Sequence, residues 1–215
     1  VLVIFDCDGV LVDSEPLANA SFARALNREG LDWSVEETMR RLMGRSLKSC
    51  LEIIEGVLGR KLPATFLEDM QAETYQAFRD APLRAVPGAA AAARALQEAG
   101  LKTCVASSGT SEKMRFTLGL TGLWPFFEGR IFSASEVPRG KPFPDLFLHA
   151  ASCMGATPAD AVVIEDSVPG IQAARAAGMR ALAFAAAPHA HRAELAAAGA
   201  EIFDDMSLLP MLVTQ

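Results

Sequence analysis

From about residue 85 to the end of the chain, short apolar runs rich in β-branched residues alternate with longer segments whose apolar residues recur at helical spacing. No other feature narrows the fold as far. Such alternation lays parallel strands side by side and sends each connecting helix back across a face of the sheet. The spacing predicts strands at Val1–Phe5, Lys102–Ala106, Arg130–Phe132, Ala161–Ile164 and Ala181–Phe184. It predicts helices over Ala89–Ala99, Glu112–Leu118, Asp145–Met154 and Ile171–Ala177. Gly100, Gly155 and Gly178 lie just past three of these helices, where a left-handed residue closes the last turn. The expected fold class is α/β, with a Rossmann-like parallel sheet at its core.

Residues 15–79 break the alternation. They read as helix only, with an apolar stripe such as Leu47, Leu51, Ile54 and Leu58. A helical block inserted straight after the first strand is expected to form a small cap over the carboxy edge of the sheet. The expected division is an α/β core of residues 1–14 and 80–215 and a helical cap of residues 15–79. Arg84-Ala-Val-Pro-Gly88 supplies stiff turn residues for the second crossing between them.

With 51% hydrophobic and 21% charged residues, the 215-residue chain can bury a core without a disulfide or structural metal. Its formal net charge of -6 argues against a nucleic acid or an anionic membrane as partner. Cys7, Cys50, Cys104 and Cys153 form no CxxC pair and no zinc spacing with His149, His189 and His191. Free thiols fit a reducing cytoplasm, the expected location. Neither Val1–Phe5 nor Ala181–Ala187 is long enough to cross a bilayer. A monomer is expected, with a homodimer as the alternative.

Four polar clusters follow the apolar runs or lie in loops between them: Asp6-Cys-Asp8-Gly9, Ala106-Ser107-Ser108-Gly109, Gly140-Lys141-Pro142 and Glu165-Asp166-Ser167. In an open parallel sheet such places converge on one crevice at the carboxy ends of the strands. Crowded carboxylates repel one another, and a hard divalent cation relieves that repulsion. Oxygen-only donors suit Mg²⁺, which keeps several waters and takes few protein ligands beside a phosphate.

The run from Val3 through Asp6-Cys-Asp8-Gly to Asp13-Ser14-Glu15 resembles the first motif of the haloacid-dehalogenase-like hydrolases. Ser107, Lys141 in Gly-Lys-Pro-Phe-Pro-Asp, and Glu165-Asp166-Ser-Val-Pro-Gly170 are similar to the second, third and fourth motifs, in the right order. More narrowly the chain resembles the phosphatase and β-phosphoglucomutase-like branch, whose cap is a small helical bundle. The resemblance implies that Asp6 attacks phosphorus and carries the phosphoryl group, and that Asp8 protonates the leaving alcohol and later takes a proton from water. It implies Mg²⁺ on the Asp6 carboxylate, the Asp8 backbone carbonyl and Asp166, with Glu165 nearby or ligating through water. Ser107, Ser108, Gly109 and Lys141 would hold the phosphoryl oxygens. In related proteins the turn Gly44-Arg45-Ser46-Leu-Lys48 points into the site, so Gly44, Arg45 and Lys48, with Glu15, are the expected substrate-binding residues. The implied partner is a small phosphorylated metabolite, a sugar phosphate or sugar-acid phosphate.

One step is delicate. A free Asp of pKa about 3.9 is protonated only to roughly 0.1% at pH 7, so an unassisted acid forfeits about 4 kcal/mol. The charges of Asp6 and of the substrate are expected to raise the pKa of Asp8.

Rival readings meet obstacles in the same residues. Haloacid dehalogenases need neither a second carboxylate in the first motif nor a metal. A phosphomutase shares all four motifs, but the mutases place a His where this chain has Ala18 and an Arg where it has Leu47. A non-catalytic receiver-like phosphate switch clusters similar residues but carries no helical cap.

Overall fold

The computed structural model describes residues 1–42, 45, 47–81, 83–186 and 190–214, and Glu15 through its backbone alone. The centre of the fold is β1 (Leu2–Phe5), in which every side chain is buried. A strand covered on both faces reads as a continuous apolar run, and Leu-Val-Ile-Phe is one. β1 pairs in parallel with β2 (Lys102–Ser107) on one side and β4 (Ala161–Glu165) on the other, with Ile4 opposite Cys104 and Val163. β3 (Ile131–Ser133) lies beyond β2, and β5 (Arg180–Phe184) and β6 (Glu201–Phe203) lie beyond β4. The result is a six-stranded parallel sheet of order β3-β2-β1-β4-β5-β6, the expected α/β class. The strand that periodicity did not predict is β6. It spans three residues at the sheet edge and buries only Phe203 fully, too short a pattern to register.

Between β1 and the rest of the sheet come α1 (Glu15–Arg28), α2 (Val35–Leu42), α3 (Leu47–Leu58) and α4 (Phe66–Asp80). They enclose a core of their own, including Leu26, Leu42, Cys50, Ile54 and Phe66. The inner line of α3 is Cys50 and Ile54, whereas Leu47, expected in the stripe, stays 38% exposed. After the block come α5 (Ala89–Glu98), α6 (Ser111–Leu120), α7 (Trp124–Phe127), α8 (Asp145–Cys153), α9 (Val168–Ala176), α10 (Arg192–Ala197) and α11 (Leu209–Leu212). Successive strand residues point to opposite faces. Val3, Phe5, Val105 and Ile164 meet Leu96, Met114 and Leu209 of α5, α6 and α11. Leu2, Ile4, Cys104 and Val163 meet Phe147 and Ile171 of α8 and α9. Gly100, Gly155 and Gly178 all take positive φ after α5, α8 and α9, as their positions required.

The chain leaves the sheet and returns to it through two segments bonded to each other. Asp13 N donates to Arg84 O at 3.0 Å, and Val86 N donates to Leu11 O at 2.9 Å. The helical block is thereby tethered beside the carboxy end of β1. Among the described residues no helix is long and apolar enough to cross a membrane.

Cys7, Cys50 and Cys104 are buried, and Cys153 is exposed. Burial disfavours the thiolate, pushing Cys50 and Cys104 up to about 12 and Cys7 well above its ordinary value. Native protein exposed to iodoacetamide at pH 8 should therefore take one label, at Cys153, and four after denaturation. Mass spectrometry counts them, and a second fast-reacting thiol would mean that one of the three cores opens.

Candidate active site

Connections leave β1 for β2 on one side and, after β3, cross to β4 on the other. A crevice must open where they part, at the carboxy ends of the central strands. Asp6 and Asp8 follow β1, Ser107 ends β2 with Ser108 and Gly109 just beyond, and Glu165 ends β4 with Asp166 next. Lys141 arrives from the loop between β3 and α8. Asp6, Asp8, Ser107, Ser108, Gly109, Lys141 and Asp166 line one cavity of about 230 Å³, whose far wall includes Phe22, Arg45, Met70 and Tyr75 from the helical block.

The deepest feature is an ion triad. Lys141 Nζ, 1% exposed, donates to Asp6 Oδ1 and to Glu165 Oε1, both at 2.6 Å, and to Ala106 O at 3.4 Å. An ammonium has three protons, and each finds an acceptor. Burial favours the neutral amine, yet the charges of Asp6 and Glu165 outweigh it and hold the Lys141 pKa above its ordinary value. Glu165 is wholly buried, and its other oxygen accepts from Asp166 N, Ser167 N and Ser167 Oγ, each at 2.8 Å. Ser167 Oγ also caps α9 by accepting from Gly170 N at 3.2 Å. The glutamate is therefore fully engaged in fixing Lys141 and the start of α9. For Glu165, expected near the metal or ligating it through water, the structure shows Oε1 on Lys141, Oε2 on three donors, and a place behind the cavity lining.

Asp8 has a different environment. Lys113 Nζ donates to its Oδ2 at 2.8 Å and Ser14 Oγ donates to Oδ1. Burial raises its pKa, but the charge and hydrogen bond of Lys113 and the bond from Ser14 outweigh burial, leaving it below the usual carboxylate value. The upward push falls instead on Asp6, which reaches about 7 through burial and the charges of Glu165 and Asp8, with Lys141 opposing. The expected rise at Asp8 is thus absent from the substrate-free site, because the cation beside Asp8 was not anticipated. Lys113 lies six residues beyond Ser107, in the first turn of α6. A lysine is unfavourable at that end of a helix unless an anion faces it, and this was the sequence signal that could have exposed it.

Four acidic side chains (Asp6, Asp8, Glu165 and Asp166) meet two ammonium groups (Lys113 and Lys141) in this region. The surplus of negative charge and the all-oxygen donors fit a divalent cation of Mg²⁺ type. Among the described residues no three Asp, Glu, His or Cys side chains form a ready-made metal cage. Mg²⁺ needs only one or two carboxylates, since it retains waters.

Of the other expected residues, Arg45 lines the cavity, its Nε donating to Arg41 O at 3.1 Å. Lys48 is exposed and does not line the cavity: on α3 the neighbouring Leu47 and Cys50 face it instead. Gly44 and the side chain of Glu15 lie outside the described residues. Asn19, Gln71, Thr74 and Tyr75 of α1 and α4 reach the cavity without any motif to announce them.

A model of the haloacid dehalogenase-like hydrolases matches residues 1–178. Over 188 residues the chain is 34% identical to the 6-phosphogluconate phosphatase of Escherichia coli (strain K12), covering 87% of this chain and 83% of that one. The crystal structure of a haloacid dehalogenase-like protein of unknown function from Agrobacterium tumefaciens str. C58 matches with TM-score 0.79 and 36% identity, covering 99% and 97% of the two chains. A β-phosphoglucomutase-like structure from Thermotoga maritima matches with TM-score 0.74 and 28% identity over 98% and 97%. The chain belongs to the haloacid dehalogenase-like hydrolases. Its enzyme class is that of its phosphatase relative, a phosphoric monoester hydrolase.

The Glu165 carboxylate needs a residue without a side chain beneath it. A Cβ on Gly170 would lie 1.9 Å from Glu165 Cδ and Oε1. Gly170→Ala should destabilise the protein by about 3 kcal/mol or more, through overpacking and a displaced buried charge. Gly56→Ala is the control: its added Cβ meets nothing within 4 Å inside α3, and the change should stabilise by about 0.5–1 kcal/mol. Urea unfolding measures both, and equal stability of the two variants would remove the packing argument.

Proposed function

We propose that the chain hydrolyses the phosphate monoester of a sugar or sugar acid through an aspartyl-phosphate formed on Asp6, in the presence of Mg²⁺. The observation that carries this reading is the Asp6 carboxylate at the end of β1, facing the cavity with Lys141 at 2.6 Å and Asp8 two residues on. Asp6 attacks phosphorus and the bond to the ester oxygen breaks. Asp8, anionic in the free site beside Lys113 and Ser14, takes up a proton as the phosphate dianion enters and passes it to that oxygen. A water then attacks the aspartyl-phosphate while Asp8 accepts its proton. The bond to Asp6 breaks, releasing inorganic phosphate. Ser107 and the amides around Ser108 and Gly109 hold the phosphoryl oxygens, joined by Lys141 through the proton that makes only a long 3.4 Å contact with Ala106 O. The loop that presents them is anchored where Ser133 Oγ donates to Gly109 O at 2.7 Å.

Asp6, Asp166 and the Asp8 backbone carbonyl would hold Mg²⁺. When bound, the ion supplies positive charge for the phosphoryl group and offsets the surplus carboxylates. Glu165 takes no part in that set and acts by fixing Lys141.

Residues 15–79 serve as the cap, supplying the wall that meets the leaving alcohol. A cavity of about 230 Å³ lies below the range of roughly 300–1,000 Å³ common for drug-sized ligands, which supports a small metabolite. Arg45 is suited to clamp a carboxylate or hydroxyls of that alcohol. The likeness to a 6-phosphogluconate phosphatase supports phosphorylated sugar acids as the first substrates to test.

A phosphomutase is the second reading, favoured by the likeness to a β-phosphoglucomutase-like structure. Ala18 and Leu47, standing where mutases place His and Arg, both line the cavity. A methyl group and an isobutyl group there move no proton and bind no second phosphate, so water is the acceptor.

With Mg²⁺ present, a panel of sugar and sugar-acid phosphates should release phosphate, while β-glucose 1-phosphate with a bisphosphate primer should yield little glucose 6-phosphate. Asp6→Asn should lower turnover by about 10³-fold or more. Retained activity would end the aspartyl-phosphate mechanism, and rapid isomerisation would favour the mutase.

Arg45→Ala should reduce kcat/KM for the best metabolite by roughly 1.5–3 kcal/mol. It should scarcely affect p-nitrophenyl phosphate, which lacks the groups Arg45 would bind. Equal losses on both would assign Arg45 to the phosphate or the fold.

A further inference from the structure

Each carboxylate of the Asp6-Cys-Asp8 run has a lysine of its own. Lys141 serves Asp6, and Lys113 serves Asp8 from the far side of β2, through the helix that follows it. No motif and no part of the phosphoryl-binding set accounts for Lys113. It stands as the third residue of α6, among backbone N–H groups that already make the helix end positive, so its charge is opposed by its own helix. The Asp8 carboxylate is what compensates, 2.8 Å from Nζ.

The local structure is built around this pair. Lys113 N donates to Thr110 Oγ1 at 3.2 Å, fixing the first turn of α6. Gly109 runs close beside the pair: a Cβ there would be in ordinary contact with Lys113 Cδ at 3.4 Å and Asp8 Oδ2 at 3.8 Å. One turn along α6, Phe116 packs on Tyr75 at 5.0 Å and beneath the Arg79 guanidinium at 5.3 Å, bracing the helix against α4. Asp8 thus has one donor from α6 on Oδ2 and one from Ser14, ahead of α1, on Oδ1. An aspartate held at one oxygen can still turn between rotamers, whereas donors on both oxygens select one.

We infer that Lys113 is a positioning residue, which acts through Asp8 by holding its carboxylate within reach of the ester oxygen. The inference rests on the reading of Asp8 as the group that passes the proton. Lys113 lines the same cavity, with its Nζ committed to Asp8 Oδ2 at 2.8 Å.

Two esters separate this role from others. An alkyl phosphate needs a proton on its departing alcohol, whereas p-nitrophenolate leaves without one. Lys113→Met should lower kcat on the best sugar phosphate by about tenfold or more with little change in KM, and on p-nitrophenyl phosphate by a clearly smaller factor. Lys113→Arg should recover part of the loss. In an Asp8→Asn background Lys113→Met should cost nothing further on the sugar phosphate. Equal losses on both esters, an effect confined to KM, or a further loss in the Asp8→Asn background would overturn the inference. A crystal structure of Lys113→Met should show the Asp8 carboxylate displaced, and an unmoved carboxylate would likewise overturn it. If the wild-type chain with Mg²⁺ hydrolyses neither ester, the phosphatase reading falls, and the position of that carboxylate decides the role of Lys113 on its own.

Discussion

One buried ammonium lies between two buried carboxylates, and much of the molecule is arranged around it. Lys141 joins the end of β1 through Asp6 to the end of β4 through Glu165, although it comes from a loop beyond β3. Taking such charges out of water is costly, and only close pairing with every proton and lone pair used makes the arrangement tolerable. That demand reaches outward. Glu165 must face inward, so Gly170 can carry no side chain, and Ser167 must satisfy the second oxygen while capping α9. Loss of one member would leave a stranded buried charge, typically a matter of about 3–5 kcal/mol.

The same crowding divides labour between two aspartates of identical chemistry. Asp6 is nearly sealed, with Glu165 and Asp8 beside it, and its carboxyl is pushed towards neutrality. Asp8, two residues on, has Lys113 and Ser14 and stays anionic. A bound cation and a phosphate would both enter this balance, because the region holds more carboxylates than ammonium groups. Among the described residues the wall supplied by the helical block brings one charged side chain, Arg45, to the cavity, and its other groups are apolar or neutral.

Much of this was legible before any fold was in view. Continuous apolar runs announced the buried parallel strands, and glycines marked three helix ends. The four polar clusters announced their own meeting place, since the crevice of an open parallel sheet is a topological necessity. Ala18 and Leu47 could be marked as departures from the mutases by position alone, and both prove to line the cavity. Less legible were features whose signal is short or non-local. β6 is a three-residue edge strand, and the inner face of α3 follows Cys50 and Ile54 because the other helices sit on that side.

Sequence by itself determined the architecture and where the motif residues would meet: period-2 and period-3.6 patterns are local, and so is the order of the motifs along the chain. Only the tertiary structure decided what each charged group does. Glu165 looked like a ligand and became the holder of Lys141, because Asp166 N, Ser167 N and Ser167 Oγ fill its second oxygen. Lys48 looked like a substrate contact and faces outward through the register of α3, while Lys113, in no motif, reaches Asp8 across 105 residues of sequence. The role of a charge depends on its partners and on how much water remains around it, and both are set by chain segments far apart in sequence.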